Sequence, residues 1–302
     1  PSIRLTQGHD VVEPEDVSIL IGGFPSETTL DACPNLKAVI VPFAGVPAET
    51  QELLRARPNI DLHSLHFNFV PTAEMAITLL LAAEKLVVPL DRDLRKNDWT
   101  NRYVATAAGI LDDKTALILG YGQIGKRIAM SCLGLGMKCI GVRRSVASVH
   151  MENGVPVYPV SALHSLLSRT DALMMALPGT PHTDGMIGAK EIALLPAHAI
   201  LVNVGRGPTV DEEALYTALK EKTIRAAGLD VWWNYPKGEA DRTTTPPSRF
   251  PYHELDNVVM SPHRGGWLSE AESDRSRAIA KLLNAAAHGE PMPSKVDKEL
   301  GY

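Results

Sequence analysis

The stretch that most constrains this chain is residues 115–145. An apolar run, Ala116-Leu117-Ile118-Leu119, leads into Gly120, Gly122 and Gly125. A helical stretch over 124–135 follows, and a second apolar run, Cys139-Ile140-Gly141-Val142, ends in Arg143-Arg144-Ser145. The order is strand, tight turn, helix, strand. Gly120 permits a sharp turn off the strand, Gly122 lets bare backbone approach a ligand, and Gly125 allows the helix to pack closely on the strand. The start of that helix offers N–H groups and partial positive charge to an anion. In this context the three glycines read as a dinucleotide-binding fingerprint, with Gln123 and Ile124 opening the helix.

The end of the second strand selects the dinucleotide. A fold that takes NAD places Asp or Glu there, to accept hydrogen bonds from the adenosine ribose. This chain has Arg143, Arg144 and Ser145 instead. A carboxylate would repel a 2′-phosphate, whereas a guanidinium holds one with two parallel bonds. NADP(H) is the expected cofactor, with NAD kept as the alternative.

With 302 residues, 45% of them hydrophobic, the chain is long enough for about two packed domains. A formal charge of −5, with acids and bases mixed, gives no reason to expect nucleic acid or a membrane as partner. The cysteines are Cys33, Cys132 and Cys139; the number is odd and no Cys-x-x-Cys pair occurs, so neither a disulfide framework nor a metal site is expected. A reducing cytoplasm fits this usage best. The most apolar stretch, 75–83, is too short to span a bilayer.

Residues 1–70 read as a small α/β unit, with strands over 17–21, 36–41 and 60–65 and a helix over 47–56. The loop Phe43-Ala44-Gly45-Val46 follows a strand end, where ligands sit in α/β sheets. Residues 72–88 predict one long helix, apolar around most of its circumference and suited to a domain crossing or a subunit interface. From 115 onward the rhythm is β-α-β-α, with strands over 171–177, 199–204, 226–231 and 257–261 and helices over 161–168, 189–195 and 211–221. This alternation argues for a parallel sheet with helices on both faces. A last helix over 269–287 is free to return to the first unit. The long loop 230–257, carrying Thr243-Thr244-Thr245-Pro246-Pro247, is either a lid or specificity loop or a plain surface excursion.

Two side chains stand out by position. Arg206 lies just past one inferred parallel strand and His263 just past another, so both belong on the sheet edge where the glycine turn lies. Arg clamps a carboxylate with a two-pronged bond. His gives or takes a proton near neutral pH. A hydride carrier, an anion clamp and a proton shuttle are the parts needed to reduce a 2-oxo acid.

These motifs together resemble the D-2-hydroxyacid dehydrogenase family, and the likeness covers nearly the whole chain. It is carried by Pro71-Thr72-Ala73-Glu74, by Gly120 to Gly125, and by Leu177-Pro178-Gly179-Thr180-Pro181. Asn203-Val204-Gly205-Arg206-Gly207, Gly228-Leu229-Asp230-Val231 and Ser261-Pro262-His263 continue it. The resemblance implies an α/β fold: a Rossmann doubly wound parallel sheet over 79–269, plus a smaller flavodoxin-like α/β substrate domain from 1–78 and 270–302. It also implies a homodimer. It makes Arg206 the substrate-binding arginine and His263 the general acid/base. Backbone N–H groups of Ala44 and Gly45 would hold the substrate carboxylate. Thr72, Gln123, Ile124, Leu177, Pro178, Val204, Gly205, Asp230 and Gly265 would join the three glycines, Arg143, Arg144 and Ser145 at the cofactor.

The chain departs from the family pattern at Tyr235. The family's glutamate, five residues after the aspartate of Gly-Leu-Asp-Val and just before a proline, would raise the pKa of the histidine. Formate dehydrogenase resembles this chain in carrying a neutral residue there. Either His263 works at a lower pKa beside Tyr235, or Glu239, Asp241 or Glu254 fills in. Phosphite dehydrogenase is similar around Val70 to Glu74 but uses a lysine where this chain has Ala44, which argues against phosphite. Three functions stay open: an NADP(H)-dependent reductase of small 2-oxo acids such as glyoxylate or hydroxypyruvate, a formate-like or other hydroxy-acid dehydrogenase working oxidatively, and a catalytically weak cofactor-sensing binding protein.

Overall fold

A computed structural model describes residues 3–6, 13–104, 108–267 and 271–301. The chain forms two compact units, Pro1–Asn68 with Trp267–Tyr302, and Phe69–Gly266.

The first unit opens with β1 (Ile19–Ile21), α1 (Glu27–Asp31), β2 (Ala38–Val41), α2 (Ala48–Arg55) and β3 (Asp61–Ser64). The three strands make a parallel sheet in the order β1-β2-β3. The central strand β2 is apolar at every position because both its faces are covered. Val39 and Val41 pack with Leu54, Leu62 and Val296 on one side, and Ile40 packs with Leu65, Leu282 and Leu283 on the other. The loop after β2 turns at Gly45, whose φ is +79°.

The second unit contains α3 (Phe69–Glu84), α4 (Val87–Leu94), β4 (Thr115–Leu119), α5 (Gln123–Gly134), β5 (Lys138–Val142), β6 (His150–Glu152) and β7 (Val155–Tyr158). It continues with α6 (Leu163–Leu167), β8 (Ala172–Met175), α7 (Ala189–Ala193), β9 (Ile200–Asn203), α8 (Glu212–Lys220), β10 (Ala226–Leu229) and β11 (Val258–Met260). Its eight strands run in the order β11-β10-β9-β8-β4-β5-β7-β6, all parallel except the β6–β7 hairpin. The chain leaves β4 toward β5 and later returns to β8 on its other side. This reversal opens a crevice at the carboxyl ends of β4 and β8, where such sheets take their ligands. Along β4 the side chains alternate: Leu117 and Leu119 join the core shared with α6, α7 and α8, while Ala116 and Ile118 join the core shared with α3 and α5. The final helix, α9 (Ala271–Ala287), belongs to the first unit.

The expected elements are present with three differences. The helix placed over 72–88 begins at Phe69 and ends at Glu84, and Leu86, with φ 56°, separates it from α4. Pro89 therefore lies in the first turn of α4, where its missing N–H is no loss. A unit boundary at 78 would cut α3, which belongs whole to the second unit. It packs so tightly that a Cβ on Gly228 of β10 would stand 2.7 Å from the Leu79 Cβ. The β6–β7 hairpin is the third difference. Its signal was present in Asn153-Gly154, whose φ angles of 51° and 79° make the tight turn that suits a hairpin. The expected start of the last helix at 269, and with it the expected boundary between 269 and 270, lies outside the described residues. Among the described residues no helix is long and apolar enough to cross a membrane.

Candidate active site

The glycine turn has the shape the sequence requires. Gly120 adopts φ +100°, and a Cβ there would stand 2.6 Å from the Ala176 carbonyl oxygen. At Gly125 a Cβ would fall 2.2 Å from the Gly120 carbonyl oxygen, so helix and strand meet backbone to backbone. A Cβ on Gly122 would meet nothing within 4 Å, which leaves an open face in front of the turn. Gly122 is the N-cap of α5 and no side chain caps that helix start. The N–H groups and dipole of α5 thus point into open space at the switch of strand order, an arrangement that fits a pyrophosphate. Gln123 is exposed and Ile124 half-buried there, whereas Thr72, in the first turn of α3, is buried.

The three residues after β5 divide. Arg144 and Ser145 are exposed on the turn beyond the strand. The Arg143 guanidinium is drawn back to Glu152 of β6, with Nη1 3.0 Å from Oε2. Lys126 of α5 pairs with the other carboxylate oxygen, and His150 stands 3.6 Å away. The Lys126 ammonium and the Arg143 guanidinium hold the Glu152 carboxyl below its ordinary pKa. Sequence reasoning missed Glu152 because the hairpin that delivers it went unread.

Arg206 follows β9 on a turn built by Asn203. The Asn203 Oδ1 accepts the Gly205 N–H at 3.0 Å, and its Nδ2 donates to the Arg206 carbonyl at 3.0 Å. Thr209 Oγ1 donates to the same carbonyl at 2.7 Å. The neighbouring turn after β8 presses against it: a Cβ on Gly205 would stand 2.5 Å from the Leu177 carbonyl oxygen, and one on Gly179 3.1 Å from Arg206 Cγ. Leu177 and Pro178 are half-buried there and Val204 is buried. Burial lowers the Arg206 pKa from its ordinary value, with Tyr235 acting against it, yet a guanidinium in protein stays charged.

His263 follows β11 with φ +58°, a strained angle for a side chain of this size. Asp230, at the end of β10 and only 1% exposed, holds that turn together. Its Oδ1 accepts from Ser261 Oγ at 2.6 Å and from the Arg264 N–H at 2.8 Å, and its Oδ2 accepts the Gly265 N–H at 2.9 Å. Trp232 Nε1 donates to the Ser261 carbonyl at 2.8 Å. Asp230 and Gly265, both expected at the cofactor, are thus buried components of the His263 turn. A Cβ on Gly265 would meet Asp230 Oδ2 at 2.7 Å.

The His263 Nδ1 is bonded to the Tyr235 hydroxyl at 2.9 Å, and the Trp232 N–H donates to that hydroxyl at 3.1 Å. Of the loop acids, Glu239 pairs with Arg242 at 3.0 Å, and Glu254 lies 4.0 Å from His253 Nε2. Asp241 serves through its backbone, its carbonyl accepting the Thr244 and Thr245 N–H groups. Burial lowers the His263 pKa, the Arg206 charge lowers it further, and Asp230 opposes. Burial raises the Tyr235 phenol, while the Trp232 N–H and Arg206 pull it down. The loop itself is fastened at both ends. Asn234 bonds Pro246 and Pro247. Glu212 of α8 accepts from Ser248 Oγ at 2.8 Å, from the Arg249 N–H at 2.7 Å and from Arg249 Nε at 2.7 Å.

A guanidinium, a fixed imidazole and an uncapped helix start therefore share one sheet edge in the second unit. Ala44 and Gly45 lie in the first unit, half-buried on the loop after β2.

Residues 77–265 match the family model described as "D-isomer specific 2-hydroxyacid dehydrogenase, NAD binding domain". The D-3-phosphoglycerate dehydrogenase of Methanocaldococcus jannaschii is 29% identical over 297 residues, 95% of this chain and 54% of that protein. The glyoxylate reductase of Thermococcus litoralis is 35% identical over 234 residues, 76% of this chain and 67% of that protein. The chain thus spans about half the length of the first relative and about two thirds of the second. Among solved structures, a D-isomer specific 2-hydroxyacid dehydrogenase from Xanthobacter autotrophicus Py2, in complex with NADPH and MES, is similar with a TM-score of 0.80 and 26% identity, over 99% of this chain and 90% of that one. An NADPH-dependent glyoxylate/hydroxypyruvate reductase from Sinorhizobium meliloti, in complex with NADP and malonate, has a TM-score of 0.74 and 26% identity, over 97% of this chain and 88% of that one.

Proposed function

The chain belongs to the D-isomer specific 2-hydroxyacid dehydrogenase family, and from that premise we propose that it is an NADP(H)-dependent reductase of small 2-oxo acids, glyoxylate and hydroxypyruvate first among them. The observation that carries this reading is the pairing of Arg206 and His263 on the edge that bears the glycine turn, with the His263 ring fixed by Tyr235 at 2.9 Å. Arg206 holds the substrate carboxylate and polarises the adjoining carbonyl. His263 gives the proton to the oxygen that becomes the hydroxyl. When bound, the nicotinamide supplies the hydride.

The preference for NADP(H) is supported by the exposed Arg144 and Ser145 beyond β5, where the chain carries no carboxylate at 143–145. The Xanthobacter and Sinorhizobium relatives, both solved with NADP(H), point the same way. A homodimer is supported by the exposure of Val87, Leu94, Trp99, Tyr103 and Ile110. A cytoplasmic setting fits three buried, free cysteines. One observation favours the oxidative direction as a second reading: His263 is held below its ordinary pKa, so it stands ready as a base.

The test is titration of the pure protein with NADPH and NADH, followed by a panel of 2-oxo acids while the reduced nicotinamide is watched. Turnover of one acid with NADPH preferred is the expected result. Tight cofactor binding with no turnover in either direction would transfer the assignment to a cofactor-sensing binding protein.

A further inference from the structure

We propose that Tyr235 is the proton source behind His263, so that reduction draws its proton from a neutral histidine backed by a phenol and not from an imidazolium. This inference rests on the function proposed above and extends it to the origin of the proton.

The argument starts from two bonds to one oxygen. The Trp232 N–H can only donate, and it reaches Tyr235 Oη at 3.1 Å. The same oxygen stands 2.9 Å from His263 Nδ1. A phenol has one proton to give and lone pairs to receive with. With the Trp232 N–H on one lone pair, donation of the phenol proton to Nδ1 satisfies every group. The reverse arrangement would place two donors on one phenol oxygen and leave its own proton unused by either neighbour. A phenol is also a far stronger acid than a neutral imidazole N–H, which favours the same direction. The network therefore assigns His263 the neutral tautomer with its proton on Nε2, the nitrogen turned away from Tyr235.

A neutral imidazole that gave up its Nε2 proton alone would become an imidazolate, a species too basic to form here. The phenol removes that obstacle. The His263 Nε2–H bond breaks as an O–H bond forms on the C2 oxygen of the substrate. In the same movement the Tyr235 O–H bond breaks and an Nδ1–H bond forms. The electron pair stays on the phenolate oxygen, held by the Trp232 N–H. Water then returns one proton at Nε2, and the Nδ1 proton goes back to the phenolate. One solvent proton enters for each acid reduced, and the redox change is confined to the hydride transfer.

The surroundings suit this sequence. Among the described residues the charged groups that face the pair are Arg206, from the turn after β9, and Asp230, from the end of β10. The Arg206 charge disfavours an imidazolium and favours a phenolate, and it acts in that sense on both partners. Burial keeps the phenol protonated until then. Tyr235 acts through His263, so its test needs a readout that mere support of the ring would not move.

Two measurements on the full chain provide it. In the protein without substrate, ¹⁵N spectra of His263 at mildly alkaline pH are expected to show a protonated Nε2 and an acceptor Nδ1. In turnover with NADPH and the best 2-oxo acid, the rate is expected to stay level through neutral pH and to fall only on the alkaline side. Fluorinated tyrosine at position 235 keeps the hydroxyl and lowers its pKa, and should move that alkaline fall downward in step. Tyr235→Phe should lose about 10- to 100-fold at mildly alkaline pH and recover as the pH drops and imidazolium forms. An Nδ1–H tautomer, or an alkaline limb indifferent to fluorination, overturns the proposal. A chain that reduces no 2-oxo acid overturns the function proposed above instead, and the tautomer then still decides where the His263 proton resides.

Discussion

The Asp230 carboxylate lies beneath the turn that carries His263, with Oδ1 2.8 Å from the Arg264 nitrogen and Oδ2 2.9 Å from the Gly265 nitrogen. Two backbone donors and the Ser261 hydroxyl converge on one buried acid. This convergence holds His263 at a φ of +58°, which an isolated histidine would rarely adopt. Asp230→Asn offers one oxygen and one amide where three donors need acceptors. It is expected to cut kcat by about 100-fold through misplacement of the ring, while NADPH affinity measured by fluorescence stays within about twofold because the α5 turn is untouched. Equal loss of kcat and cofactor binding would assign Asp230 to the cofactor, as the family resemblance implies.

The residues after β5 make separable predictions. Arg143 is held by Glu152, whereas Arg144 and Ser145 stand exposed. Arg144→Ala removes a charge-assisted bond to the 2′-phosphate, a loss of about 1.5–3 kcal/mol, so Kd for NADPH should rise roughly 10- to 100-fold. Affinity for NADH, which lacks that phosphate, should not change. Arg143→Ala should act chiefly on the β6–β7 hairpin and lower thermal stability more than it discriminates between the two cofactors. Isothermal titration of both variants with both cofactors decides the matter, and equal effects of Arg144→Ala on NADPH and NADH would remove it from the phosphate site.

His263→Ala should reduce turnover by about 10²- to 10⁴-fold, the usual worth of a positioned acid, with NADPH still bound. Arg206→Lys keeps the charge and loses the two-pronged geometry. Its main effect is expected in KM for the 2-oxo acid. Steady-state kinetics at several pH values separate the two roles, and a full rate in His263→Ala would exclude it as the proton donor.

The sheet was legible because its strands are buried on both faces and punctuated by glycine and proline, so Ala116 to Leu119 and Ile200 to Asn203 could hardly be anything else. The positions of Arg206 and His263 followed from counting past strand ends. Chain counting could not tell which side chains close on each other across turns. Asp230 carries the chemistry of a ligand-binding acid, and only the folded turn shows its oxygens taken by Ser261, Arg264 and Gly265. Tyr235 as the partner of His263 was one of several readings until the fold placed its hydroxyl 2.9 Å from the His263 Nδ1. Leu86, an ordinary helix former, gave no warning of the left-handed break after α3. Glu152 is brought to Arg143 by a hairpin whose short strands carry little periodic signal.

The loop between β10 and β11 is fixed by Glu212, which is 7% exposed and receives Ser248 and Arg249. Burial alone would raise its pKa, but the Arg249 N–H, the Ser248 hydroxyl and the Arg249 side chain outweigh that and hold it below the ordinary value. A depressed carboxyl stabilises the fold fully above its unfolded pKa, roughly 4.3, and that contribution is lost as pH falls through the folded value. Glu212→Gln should therefore destabilise the second unit near neutral pH by about 1–3 kcal/mol, read as a shift of the urea midpoint at unchanged slope. The gap between variant and parent should close in acid, where the parent carboxyl is protonated as well. Limited proteolysis should cut the variant faster within 237–244, the exposed crown of the loop. A stability gap that persists unchanged below the folded pKa would mean that Glu212 acts through packing and not through its charge.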